Sequence, residues 1–334
     1  MINVHTEDKE VSWKIFDIPV YGTVTAPTDK EVHDAVIFVA GSGPTDRNWC
    51  SPLLLGTNGS AKLLAESLAS QGFVTLRYDK VASGPHVREN IPKLVGRISM
   101  QSHMEELTGA FETIIAEKNV DKNNLFVLTN SEGAIHAVNY QMQAKSNGFK
   151  GLVLTGAPGR AIGELGRSQI FDQIKQLPNA ETLMKPYDDA IAEFLANRPM
   201  IIDTSLPEGT KLLLQSLETP ANLPFSRELW TYRLPENISK VSEPMRVVIG
   251  KKDIQVDWKV DAKLLENATA QKTDVSFFYP ENANHVLKHE DKPRTELNAQ
   301  YVSMHYNASD AKLDKEAANA IFDWLQKQAQ YEAR

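Results

Sequence analysis

Short apolar runs rich in β-branched and aromatic residues alternate along this chain with stretches of helical period, which points to a mostly parallel, twisted sheet with helices on both faces. The runs are Ile15 to Val24, Ala35 to Val39, Phe73 to Tyr78, Leu125 to Leu128, Leu152 to Thr155, Met245 to Ile249 and Val275 to Tyr279. Helical spacing covers Ser60 to Gln71, Met100 to Lys118, Ala134 to Lys145, Asp257 to Leu265 and Lys312 to Gln330. The central runs are apolar almost without interruption, as strands buried on both faces must be.

The alternation breaks once. From Gly159 to Ser242 no comparable run appears, and a helical composition is punctuated by prolines from Pro178 to Pro235. An insertion there reads as a lid over the carboxyl edge of the sheet, which divides this α/β chain into a core, residues 1–158 and 243–334, and a helical lid or cap, 159–242. The other reading is further peripheral helices of one domain. A chain of 334 residues suits either.

The run Leu125 to Leu128 ends at Thr129-Asn130-Ser131-Glu132-Gly133 and reopens as a helix. A strand, a tight turn presenting Ser131 and a helix N-terminus make a nucleophile elbow, although Thr129 stands where the first glycine is usual. Taken alone, a serine in this place is more often a helix N-cap than a nucleophile. A serine nucleophile needs a base and a carboxylate, and in this architecture they follow in the order serine, acid, histidine.

Asp253 lies in the loop leaving the strand at Met245 to Ile249, where ligand-facing residues gather in open α/β sheets. Asp257 and Asp261 fall on the next helix, Asp257 as its N-cap. His285 follows the last strand-like run and is the expected base. His289, amid charged residues, reads as a solvated histidine, and His305 as one with local hydrogen bonds.

The oxyanion hole is expected from the amide of Glu132 and from the loop Ala40 to Asn48, with Ser42 as the second donor and Gly41 as the alternative. Glu132 itself is expected to form a structural ion pair with Arg47 or Arg77. The loop is no phosphate cradle, because a Gly-x-x-x-x-Gly-Lys-Ser/Thr pattern is absent.

A net charge of -7 without a basic stripe removes the footprint of nucleic-acid binding. Cys50 is the only cysteine, which excludes an intramolecular disulfide and a cysteine zinc cage and suits a reducing, cytoplasmic setting. Neither a leader pattern nor an apolar run near the roughly 18 residues of a membrane span is found. Oligomeric state is left open.

With these residues in place the chain resembles the α/β-hydrolase superfamily. Within it, the chain is similar to bacterial carboxylesterases with a His-Gly-Ser-Gly-Pro-x-Asp-Arg loop and a Gly-His-Ser-Glu-Gly elbow. The matching stretches are Ala40-Gly41-Ser42-Gly43-Pro44-Thr45-Asp46-Arg47 and Thr129-Asn130-Ser131-Glu132-Gly133, supported by Arg77-Tyr78-Asp79, Gly250 to Val256 and Asn284-His285-Val286. Ala40, Thr129 and Asn130 depart from the pattern and mark a divergent branch. The resemblance implies an α/β-hydrolase fold and hydrolysis of small-molecule carboxylic esters through a Ser131 acyl-enzyme, with no cofactor and no metal. The alternatives are a thioesterase or peptidase on the same triad, or a non-catalytic binding protein of this fold.

Overall fold

A computed structural model describes residues 4–144 and 148–330. Lys145, the expected end of one helix, and residues 1–3 of the N-terminus lie outside the described residues.

The chain opens with an antiparallel pair, β1 (Thr6–Ile15) and β2 (Ile18–Pro27). The sequence pattern Ile15 to Val24 suggests one strand, but the backbone turns at Phe16 and Asp17, both at positive φ, so that Ile15 pairs with Ile18. β1 escapes an apolar pattern because it is an edge strand whose exposed positions carry Glu7, Asp8, Lys9 and Glu10. Charge on an edge strand opposes unwanted pairing with another chain.

β3 (His33–Val39), β4 (Val74–Tyr78), β5 (Val120–Asn130), β6 (Gly151–Thr155), β7 (Met245–Val248) and β8 (Val275–Phe278) complete one sheet among the described residues. Its order is β1-β2-β4-β3-β5-β6-β7-β8, parallel from β4 through β8. Side chains of a strand alternate between faces, and β3 shows the consequence. Ile37 and Val39 join one buried cluster, while Val36 and Phe38 join another.

α1 (Ser60–Ala69) follows β3 and packs into the second cluster through Leu64 and Leu68. The short α2 (Val87–Asn90) and the long α3 (Met100–Ile115) follow β4, and α4 (Gly133–Gln143) follows β5. α3 and α4 cover the first cluster with Leu107, Phe111, Ile135 and Val138.

Between β6 and β7 the described chain is entirely helical or irregular. α5 (Ile162–Ile174), α6 (Ala180–Leu195), α7 (Glu208–Leu217), α8 (Phe225–Thr231) and α9 (Pro235–Ile238) occupy it. Its two ends join the main core through Leu165, Leu229, Leu234 and Ile238. Met184, Tyr187, Phe194, Leu214 and Trp230 form a separate cluster of their own. Pro186 lies inside α6 rather than between helices. α10 (Val260–Ala268), α11 (Ala299–His305) and α12 (Lys315–Gln330) complete the fold, with α12 covering the second cluster. No helix among the described residues is long and apolar enough to cross a membrane.

Candidate active site

β5 ends at Asn130, and Ser131 takes φ 53°, a left-handed conformation that costs a non-glycine residue roughly 1–3 kcal/mol. The turn is over-determined by its neighbours. The Ser131 amide donates to the Thr155 carbonyl at 2.8 Å, and α4 begins at once with Gly133. A Cβ at Gly133 would stand 2.5 Å from the Val39 carbonyl oxygen, so only glycine lets this helix start against the end of β3. Thr129 is accommodated in the place of the usual glycine by its hydroxyl, which donates to the Val153 carbonyl at 3.3 Å.

Asp253 and His285 meet. His285 Nδ1 and Asp253 Oδ2 are 2.7 Å apart, with both side chains buried. Asp253 Oδ1 accepts from the amides of Gln255 and Val256, which holds the carboxylate in its loop beyond β7. A carboxylate on Nδ1 makes that nitrogen the protonated one and leaves the lone pair on Nε2. Asn130 Nδ2 donates to the His285 carbonyl at 2.9 Å, joining the histidine loop to the residue before Ser131. Gly156, at φ 54°, supplies the remaining space, since a Cβ there would stand 3.0 Å from His285 Cε1.

The other aspartates serve elsewhere. Asp257 accepts from the amides of Lys259 and Val260, and its carbonyl accepts from the Asp261 amide at 2.8 Å, which is the capping geometry expected of it; its carboxylate also pairs with Arg294 at 3.1 Å. Asp261 is fully buried and binds Arg160 at 2.8 Å as well as the amides of Gly159 and Arg160, anchoring the chain just before α5. His289 is half-exposed and lies 2.9 Å from Asp314, which raises its pKa against a smaller effect of burial. His305 Nδ1 lies 2.7 Å from the Tyr301 carbonyl, the local contact expected of it.

The loop after β3 brings Gly41 against the elbow: a Cβ on Gly41 would stand 3.2 Å from Ser131 Cβ. Arg47 fastens the far end of this loop to Asp79, donating from its amide at 2.8 Å and from Nε at 2.9 Å. Among the described residues, the amides of Gly41, Ser42 and Glu132 have no hydrogen-bond acceptor. Unused donors beside a serine hydroxyl are what a developing oxyanion requires.

Glu132 departs from the expected pairing. Arg47 is engaged by Asp79 and Glu10, and Arg77 by Asn48 and Thr25. Glu132 points inward instead, with His136 Nε2 3.0 Å and Lys80 Nζ 3.7 Å from its Oε1. The reason is helical spacing: His136 is one turn along α4, on the same face. Burial opposes the carboxylate's ionisation, but Lys80, the hydrogen bond to His136 and the nearby His103 together hold its pKa well below the usual range. Burial and His103 lower the pKa of His136 to about 4, against the opposing pull of Glu132. His103 completes the network, its ring 4.5 Å from that of His136 and its Nδ1 2.8 Å from Glu106.

His103, Glu132 and His136 hold ligand-type atoms within 4.8 Å of one another, so by composition they are the group among the described residues suited to a metal. The ammonium of Lys80 beside the same carboxylate oxygen opposes a divalent cation there. Sequence pattern missed Lys80, His103, His136 and the bond made by Asn130. The first three sit at buried positions of a strand end and two helix faces, where nothing local distinguishes them from core. Asn130 was visible only as a departure from the elbow pattern.

No family model matches the chain. It is 25% identical over 271 residues to esterase EstD of Thermotoga maritima, a match covering 80% of this chain and 57% of that protein. The chain therefore spans less than two-thirds of that relative's length. Among solved structures it is similar to the proline iminopeptidase of Mycobacterium smegmatis, with TM-score 0.56, 15% identity and coverage of 96% of this chain and 98% of that one. Est1E from Butyrivibrio proteoclasticus with ferulic acid bound gives TM-score 0.55, 12% identity and coverage of 96% and 99%. At such identities these two structures speak to fold alone. That fold is the α/β-hydrolase fold, matching the eight-stranded, mostly parallel sheet described above.

Proposed function

We propose that this α/β-hydrolase is a serine hydrolase of small-molecule carboxylic esters, with Ser131 as nucleophile, His285 as base and Asp253 as the group that orients it. The observation that carries the reading is the buried Asp253–His285 pair at 2.7 Å, joined through Asn130 to a serine held at φ 53°. His285 Nε2 takes the hydroxyl proton as Ser131 Oγ attacks the ester carbonyl. The tetrahedral oxyanion is met by the amides of Glu132 and Ser42, with Gly41 as the alternative to Ser42. Collapse of this intermediate expels the alcohol, which takes the proton from His285. Water then enters by the same route and releases the acid from the acyl-enzyme.

The esterase name of the curated relative supports an ester substrate over an amide. Cys50 offers no rival nucleophile, because burial, reinforced by Asp46, pushes its thiol up to about 12. The helical segment 159–242 serves as the lid, and its side chains set acyl and alcohol preference.

The test is labelling by a fluorophosphonate together with turnover of an aryl-ester panel. Wild type is expected to label and hydrolyse, and Ser131→Ala to do neither. A folded wild type that neither labels nor hydrolyses defeats the reading, and turnover confined to aminoacyl amides makes the protein a peptidase.

A further inference from the structure

A buried ammonium is costly unless every charge and donor is met, so the position of Lys80 is informative. Lys80 follows β4 and is 5% exposed. Its Nζ donates to the Gly41 carbonyl at 2.6 Å and stands 3.7 Å from Glu132 Oε1. One cation thus touches the peptide between Gly41 and Ser42 on one side and the residue following the nucleophile on the other.

The peptide geometry gives this contact a consequence. The carbonyl of Gly41 and the amide of Ser42 belong to one planar trans unit and point in opposite directions. An ammonium locked onto the carbonyl therefore fixes where the Ser42 amide aims. It also draws electron density from the oxygen and strengthens the amide as a donor. Gly41 lies against Ser131, so that aim matters within the reach of the reacting carbonyl. On the other arm, the ionised Glu132 side chain is held by Lys80 and His136, which steadies the residue just before α4 and its unused amide.

We propose that Lys80 is the positioning residue of the oxyanion hole, its ammonium tying the Gly41–Ser42 peptide to Glu132 and setting the aim of both amide donors. The inference rests on the serine-hydrolase reading above. Lys80 touches no reacting atom and acts only through the two arms that it joins.

The experiment compares wild type, Lys80→Met, Glu132→Gln and the double variant in aryl-ester turnover and in inhibition by an aryl trifluoromethyl ketone, whose serine adduct carries an oxyanion. Loss of one oxyanion donor costs about 10²–10³ in kcat, so a misaimed donor in Lys80→Met should cost about 10- to 100-fold. KM should stay within about two-fold, because a ground-state carbonyl gains little from the hole. Ketone affinity should weaken by the same factor as kcat, and the double variant should lose no more than Lys80→Met alone. Should Lys80→Met not fold, Glu132→Gln carries the test, keeping the backbone amide and side-chain size while removing the charge that holds the ammonium.

Folded variants with unchanged kcat and ketone affinity overturn the proposal, as does a raised KM with kcat intact. A wild type that hydrolyses no aryl ester overturns the serine-hydrolase reading and this inference together. An active wild type with an equally active, folded Lys80→Met overturns the inference alone.

Discussion

Asp253 and Asp257 lie four residues apart in one loop, and their surroundings separate their roles. Asp253 is fully buried against His285, whereas Asp257 pairs with Arg294 and closes a turn. Asp253→Asn should lower turnover by about 10⁴-fold, the scale seen when the orienting carboxylate of a triad becomes an amide and the wrong tautomer is favoured. Asp257→Asn keeps a side-chain oxygen for both turn amides and loses only a partly exposed ion pair, so turnover should stay near wild type. Steady-state kinetics on the two variants decide it, and equal losses would remove Asp253 from its assigned place. The place of Asp253 in the loop beyond β7 was legible because it follows a strong apolar run at a strand end. The cap formed by Asp257 was legible too, because capping is local, but its pair with Arg294, 37 positions on, was not.

The helix α4 carries an unusual load for an element in a core. Glu132 at its N-terminus and His136 one turn later are both buried, facing Lys80, His103 and Glu106 from the neighbouring strand end and α3. The pKa of His136 is about 4 in the folded protein against 6.5 for the free side chain, chiefly through burial. Between these values the unfolded chain binds a proton that the folded one refuses, so stability increases with pH across the window and is lost as pH falls from about 6.5 to about 4. Glu132, with its lowered pKa, loses stability in the same direction below its own ordinary range. Thermal unfolding from pH 7 to pH 4 should therefore fall more steeply for wild type than for His136→Gln, which cannot charge. Parallel curves would show that His136 is not the group responsible. The apolar period of this helix was readable, but a histidine on its buried face looks in sequence like any other core position.

At the scale of the whole molecule, the helical segment between β6 and β7 has two parts. Its ends share the main core, and α6 and α7 gather around their own cluster with Phe194 fully buried. Phe194→Ala should cost about 3–5 kcal/mol within that cluster, loosening α6 and α7 ahead of the sheet. The expected result is preferential proteolytic cleavage between residues 180 and 217 and a shifted preference across a chain-length panel of aryl esters, with the rest of the chain still folded. A single cooperative loss of all protease resistance, with unchanged preference in the folded fraction, would instead make the segment an integral part of the core. Proline punctuation runs through this strand-free stretch, and Pro186 within α6 shows that such marks do not map every helix end.

The sequence by itself determined the central strands, the helices between them and the order Ser131, Asp253, His285, because apolar periodicity and strand ends are local properties of a chain. Only the tertiary structure decided what those residues meet. Asn130 and the His285 carbonyl are 155 positions apart, and Lys80 and Gly41 are 39 apart. Neither bond leaves a trace in any window of sequence, since each exists only where parallel strands bring their carboxyl ends to one edge of the sheet. The same holds for Glu132: its charge was plain, but its partners were chosen by the face of α4 on which it falls and by the buried end of β4 opposite.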